Sequence, residues 1–185
     1  MISNMKFITV FFVAMVAFLF LPPGSKASVQ EGDSLEGVTF PAPATQEAAE
    51  QLGLEKMEPF SLDNLDREYV LFKVVDVYCP VCHEQAPEFN RLFNRIQDNT
   101  SLAESMYIFT LAPEASPGEV EHLYQAWETP YPILGDHEYI LPGKIGSLDT
   151  PYTIMVNREG KVVYAHGGVM PDTREMMGKL RELVK

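Results

Sequence analysis

The sequence predicts an α/β fold: a central mixed β-sheet flanked by helices, with an N-terminal extension. Three observations predict it. An apolar, β-favouring run at 69–78 passes directly into an amphipathic helical pattern, a second strand–helix pair follows at 106–127, and the last third holds a hairpin and a final helix. Alternating strands and helices imply parallel neighbours with covered faces, and the late hairpin adds antiparallel ones.

The chain begins with a segment of its own kind. Lys6 precedes an apolar run from Phe7 to Leu21, followed by Pro22-Pro23-Gly24 and Ser25-Lys26-Ala27. This is the layout of a secretory signal peptide over 1–27, with small residues at Ser25 and Ala27 placing a cut before Ser28. The run falls short of the roughly 18 to 20 residues that a spanning helix needs, so an uncleaved membrane anchor is the alternative reading. No cysteine follows the run to accept lipid. Export places the protein in a periplasmic or otherwise extracytoplasmic compartment, where disulfides persist.

About 158 residues remain, enough for one core. Losing Lys6 and Lys26 takes the 14 basic residues to 12 against 26 acidic ones, a net charge of −14. So acidic a surface argues against nucleic acid and anionic lipid, whose phosphates need clustered Lys or Arg. It also keeps an exported protein soluble.

Residues 28–56 read as the N-terminal extension and 57–185 as the main domain. Within the extension, Pro41 to Ala49 is rich in Ala and Pro, and Gln46 to Leu54 predicts a short helix. Met57 to Leu62 reads as a short strand or hairpin edge. Tyr69 to Tyr78 predicts a strand covered on both faces, interrupted only by Lys73 and Asp76. A helix starts at Pro80, which suits the first helical position, and Cys82, Ala86, Phe89, Phe93 and Ile96 draw one buried stripe. Pro87 interrupts it and removes a backbone donor. Met106 to Leu111 predicts a second buried strand, Gly118 to Trp127 a second helix, and Tyr131 to Leu134 a short extended piece. Tyr152 to Val156 and Lys161 to Ala165 form a hairpin around Asn157-Arg158-Glu159-Gly160. Asp172, with Glu175 three residues on, caps a last helix whose apolar face is Met176, Leu180 and Leu183 or Val184.

The chemistry concentrates at Tyr78-Cys79-Pro80-Val81-Cys82-His83, which holds both cysteines of the chain. The spacing serves two chemistries. One is a dithiol–disulfide switch; the other is thioether attachment of c-type haem, with His83 as axial ligand and His122, His137, His166 or a methionine as the second. Two cysteines cannot supply the four ligands of a structural zinc site. At the helix N-cap, Cys79 faces unpaired N–H groups and the positive end of the helix dipole, which favour a thiolate. The dipole, roughly 0.3 to 1 kcal/mol, lowers a thiol pKa by less than about one unit from about 8.5, so direct hydrogen bonds must supply the rest. Cys82, one turn inside, is the more buried, resolving thiol. An inert stabilising disulfide is the plainer alternative, although so short a loop constrains the unfolded chain little.

Taken together, these residues resemble the thioredoxin superfamily, in particular its exported TlpA/ResA-like branch. Four features carry the resemblance: the strand entering Tyr78-Cys79-Pro80-Val81-Cys82, Pro87 five residues after the second cysteine, Thr150-Pro151 leading into Tyr152 to Val156, and the hairpin ending near Gly167-Gly168. It covers about Met57 to Lys185. It implies a thioredoxin-like fold and a thiol-disulfide oxidoreductase with Cys79 as nucleophile and Cys82 as resolving thiol, more often a reductant. It also implies a cis bond before Pro151, and Tyr78, Pro80, Thr150 and Pro151 lying along a substrate chain. The implied partners are protein thiols or disulfides and an upstream redox protein, with no cofactor beyond the redox-active disulfide and no metal. Tyr131 to Asp136 resembles the branch's extra strand and loop.

Departures from the family concern proton handling. Thioredoxin has a buried acid six residues before its first cysteine, and this chain has Lys73. A buried ammonium would favour a Cys82 thiolate; the plainer expectation is that Lys73 pairs with an acid or reaches water. ResA-type proteins carry Glu three residues after the second cysteine, where this chain has Gln85, and Glu84 substitutes only if the helix turns it to the site. Tyr78 replaces a Trp as a flat apolar wall, and Pro80-Val81 lacks the histidine of strongly oxidising sites.

These features weigh against haem, since the strand, Pro87 and Thr150-Pro151 all serve a thioredoxin fold; His83 is then expected to be an exposed helix residue. A copper-carrying module resembles CxxxC plus a distant His, and a peroxidase wants Thr where Asp76 stands. His122, His137 and His166 have no ligand spacing and read as surface or packing residues.

Overall fold

A computed structural model describes residues 28–138, 140–141, 145–146 and 148–184. The predicted signal segment at 1–27 lies outside them. The elements are β1 (Thr39–Phe40), α1 (Gln46–Gln51), β2 (Phe60–Ser61), β3 (Tyr69–Val74), α2 (Pro80–Gln97), α3 (Thr100–Ser105), β4 (Met106–Pro113), α4 (Pro117–Trp127), β5 (Ile133–Asp136), β6 (Tyr152–Asn157), β7 (Val162–Gly167) and α5 (Thr173–Leu183). The main sheet runs β5-β4-β3-β6-β7, with β3 parallel to β4, β4 parallel to β5, and β6 antiparallel to both β3 and β7. It is the predicted mixed sheet.

Several boundaries differ from the sequence reading, and one helix is additional. β3 ends at Val74, short of Tyr78. The Asp76 carboxylate accepts the Tyr78 N–H at 2.7 Å and the Asp76 carbonyl accepts the Cys79 N–H at 3.2 Å, so a side-chain turn takes the chain out of the sheet. β5 starts two residues later than expected, because Thr110 donates to the Pro132 carbonyl and pairs with Ile133. α3 went unpredicted; its six residues bury only Leu102, and Asn99 caps it by accepting the Leu102 N–H.

Alternation along β3 sorts its residues onto two faces. Val70, Phe72 and Val74 join an apolar cluster with Phe109 of β4 and with Phe40 and Phe60, which the antiparallel β1–β2 pair delivers. Phe72 stacks on Phe109 at 5.3 Å between centroids, and Phe40 meets Phe109 edge-on at 5.4 Å. Each such pair contributes about 0.5–1.5 kcal/mol beyond the area it buries. The extension is therefore part of the core.

Leu71, Lys73 and Val75 face the helices. Leu71 clusters with Phe89, Leu92 and Ile96 of α2 and with Met176 and Leu180 of α5; Val75 clusters with Cys82, Ala86 and the α4 residues Leu123 and Trp127. Asp172 caps α5 by accepting the N–H groups of Arg174 and Glu175, and Glu88 of α2 accepts the Thr173 N–H and hydroxyl, tying the two helices. The extension also closes over the hairpin. Gly160, at φ +79°, is required there, since a Cβ would stand 2.7 Å from the Glu36 nitrogen.

Candidate active site

Local rules place Cys79 at the end of the β3 loop. Pro80 occupies the first turn of α2 and needs no N–H partner, so Cys79 becomes the N-cap, and its Sγ accepts the Cys82 N–H at 3.1 Å. A sulfur held this way has a direct N–H bond in addition to the helix dipole, the combination that favours a thiolate at a CxxC site. The two cysteines form a disulfide with 5.3 Å between their Cα atoms. Cys79 is half-buried, whereas Cys82 is fully buried.

A second segment meets the first. The Thr150-Pro151 peptide bond is cis, and the Thr150 carbonyl oxygen lies 3.6 Å from Cys79 Sγ. The Pro151 carbonyl accepts the Gly168 N–H at 2.8 Å, with Gly168 at φ +83°, which fastens the loop to the end of the hairpin. Beside Thr150 a cavity of about 170 Å³ is lined by Val75, Asp76, Glu114 and Asp136. The fold thus brings Cys79, Cys82, Pro80, Thr150 and Pro151 to one place.

Tyr78 is 79 % exposed. Its hydroxyl donates to Glu119 at 2.6 Å, and the same carboxylate accepts the Ser116 N–H and hydroxyl as the capping box of α4. The Ser116 bonds, followed by the Tyr78 bond, hold the Glu119 carboxyl down at about 2. The loop ahead of Cys79 is therefore tethered to α4.

His83, expected at the surface, departs from that expectation. It is part-buried. Trp127 Nε1–H is a donor only, so His83 Nδ1 accepts it, at 2.8 Å, and Nε2–H donates to the Val77 carbonyl at 2.8 Å. Both ring nitrogens are engaged within the fold. His122 and His137 are exposed, and His166 meets the Val169 carbonyl at 2.9 Å. Among the described residues no group of three or more His, Cys, Asp or Glu is placed to hold a metal ion, and no helix is long and apolar enough to cross a membrane.

The three proton-handling candidates separate. Glu84 is exposed, so the helix does not turn it to the site, while Gln85 is buried with neither end of its amide hydrogen-bonded. Lys73 is 0 % exposed. It neither pairs with an acid nor reaches water: Nζ has no hydrogen-bond partner among the described residues and lies 4.8 Å from the Phe89 ring centroid and 5.4 Å from that of Trp127. Desolvation pulls its pKa down to about 8. Its register partners Thr110 and Thr153, directly opposite on β4 and β6, are also buried, Thr110 facing the Tyr131 hydroxyl and Thr153 with no hydrogen-bond partner for its hydroxyl among the described residues. The sequence reading missed Trp127, Glu119 and these two threonines. Trp127 was visible only as the end of a helical stripe, and the threonines only as polar interruptions of apolar strands.

No family model matches the chain. A curated relative, the thiol-disulfide oxidoreductase ResA of Halalkalibacterium halodurans, is 26% identical over 141 residues, 75% of this chain and 76% of the relative. The crystal structure of a thiol:disulfide interchange protein DsbE from Chlorobium tepidum superposes with a TM-score of 0.61 at 16% identity, covering 85% of this chain and 99% of that one. A secreted Mycobacterium tuberculosis disulfide oxidoreductase, homologous to Escherichia coli DsbE, gives 0.55 at 13% identity over 68% of this chain and 90% of its own.

Proposed function

We propose that this chain, which has a thioredoxin-like fold and is similar to the thiol-disulfide oxidoreductase ResA, exchanges disulfides with exported protein substrates, working as a reductant. The observation that carries the reading is Cys79 Sγ at the N-cap of α2, accepting the Cys82 N–H and facing the Thr150 carbonyl. In the reduced protein the Cys79 thiolate attacks one sulfur of a substrate disulfide. A mixed disulfide forms and the other substrate sulfur leaves as a thiolate. Cys82 then attacks Cys79 Sγ, the mixed disulfide breaks, and the second substrate thiolate leaves while the Cys79–Cys82 bond forms. The half-exposed sulfur suits the first attack, and the buried one suits the second.

The Thr150 carbonyl lies beside Cys79, and a substrate chain would lie along this segment, with Tyr78 and Pro80 flanking it. Gln85 does not titrate and Glu84 faces solvent, so of the three candidates Lys73 is the ionisable side chain able to act on Cys82 from inside the fold. Export rests on the 1–27 segment. An upstream dithiol protein returns the pair to its reduced state.

Dithiol chemistry rather than haem attachment is supported by His83, whose two ring nitrogens serve Trp127 and Val77. In cells, Cys82→Ser is expected to accumulate mixed disulfides through Cys79, and the purified wild type to reduce a model protein disulfide without a Soret band. No trapped adduct together with no reduction by wild type would end the oxidoreductase reading.

A further inference from the structure

We infer that Lys73 is a positioning residue for the redox step: its buried ammonium stabilises the reduced pair over the disulfide and so makes the site a mild reductant, readily recharged by a stronger dithiol donor. The inference rests on the exchange chemistry proposed for Cys79 and Cys82.

Geometry puts the charge on the correct side of the pair. Val75, the residue after the end of β3, keeps a ladder bond from its N–H to the Leu111 carbonyl, so it follows Lys73 onto the same face, and it belongs to the apolar cluster that contains Cys82, Ala86 and Trp127. Trp127 joins the two groups. Its ring lies 5.4 Å from Lys73 Nζ, it shares the Cys82 cluster, and its Nε1–H holds His83, the residue after Cys82.

Among the described residues no counter-charge pairs with the ammonium. Its neighbours across the sheet are the neutral hydroxyls of Thr110 and Thr153, and its neighbours from the helices are the rings of Phe89 and Trp127. The ion pairs among the described residues, Lys56–Glu58 and Arg91–Glu88, are elsewhere. With a pKa of about 8 the amine is still mostly protonated at pH 7. In the interior such a charge is screened less than one at the surface.

A charge shifts an equilibrium only through a difference between its two states. The disulfide is neutral, whereas the reduced pair carries thiolate charge, so the ammonium favours reduction. The desolvation cost of Lys73 is common to both states and cancels in the redox equilibrium. Recharging balances: the donor dithiol forms its own S–S bond and gives up two electrons and two protons, and the Cys79–Cys82 bond breaks. The electrons reside on the two cysteine sulfurs. The protons go to those sulfurs or, for a sulfur held as thiolate, to solvent. The same physics describes couples that are oxidising because their reduced form is stabilised.

The test is the equilibrium of the purified protein with reduced and oxidised glutathione, for wild type, Lys73→Met and Lys73→Gln, read by alkylation and mass. Both substitutions remove the charge, one with an apolar chain and one with a polar chain, so the inference survives the failure of either to fold. Each folded variant is expected to favour its disulfide by about tenfold more than wild type, a shift of about 30 mV. Equal constants for wild type and a folded variant would overturn the role of Lys73 while leaving the exchange reading intact. Failure of wild type itself to equilibrate would remove the exchange reading, and the inference with it.

Discussion

On one face of the sheet Val70, Phe72 and Phe109 meet Phe40 and Phe60 in a cluster of interlocked rings. On the other, between the same strands and α2, a lysine lies between two threonines, with a glutamine amide in the overlying helix, and Lys73 Nζ, the Gln85 amide and the Thr153 hydroxyl have no hydrogen-bond partner among the described residues. Residues one step apart on β3, Phe72 and Lys73, belong to these two environments. Burying an unpaired ammonium opposes folding. The ring-filled face supplies stability that the helix face, with its dithiol, gives up.

The largest expected effect that breaks this division is on the aromatic side. Phe72→Ala should destabilise the oxidised protein by about 3–5 kcal/mol in urea unfolding, through lost burial and the cavity left behind. Its exchange rate below the transition should stay that of wild type. A change in rate at unchanged fold would mean that the two faces are not separable.

Lys73→Met should act in the opposite direction. The Lys73 pKa is near 8 in the folded protein against its ordinary 10.5, so the unfolded chain binds the extra proton between those values. The penalty is complete below about pH 8 and lifts as pH rises toward 10.5. Lys73→Met is therefore expected to be more stable than wild type by up to about 3 kcal/mol at pH 7, with the gain shrinking above pH 8. Unfolding curves at pH 7 and pH 10 check this; a gain that does not shrink would show that the ammonium is not its source.

A smaller gain is expected from Thr153→Val. It replaces an unpartnered buried hydroxyl with a methyl of similar shape, worth about 1 kcal/mol at most. A loss instead would show that the hydroxyl has a partner in solution.

The sequence carried the helix-facing half unevenly. β3, the α2 stripe, the cysteines and Thr150-Pro151 were legible because each is a local pattern of period, cap or turn. The end of β3 was not, because one carboxylate at Asp76 closes a turn that apolar alternation does not register. Nor was the environment of Lys73, since only strand register sets Thr110 and Thr153 opposite it. His83 was expected at the surface because its partner Trp127 stands 44 residues away, and no local rule joins them.

The most direct measurement is the alkylation of the reduced protein by a limiting amount of iodoacetamide, with the modified cysteine identified by peptide mass. The half-buried Cys79 is predicted to take the first equivalent and the fully buried Cys82 to react only after unfolding. Labelling of Cys82 first, or of both equally in the folded protein, would contradict the assignment of nucleophile and resolving thiol.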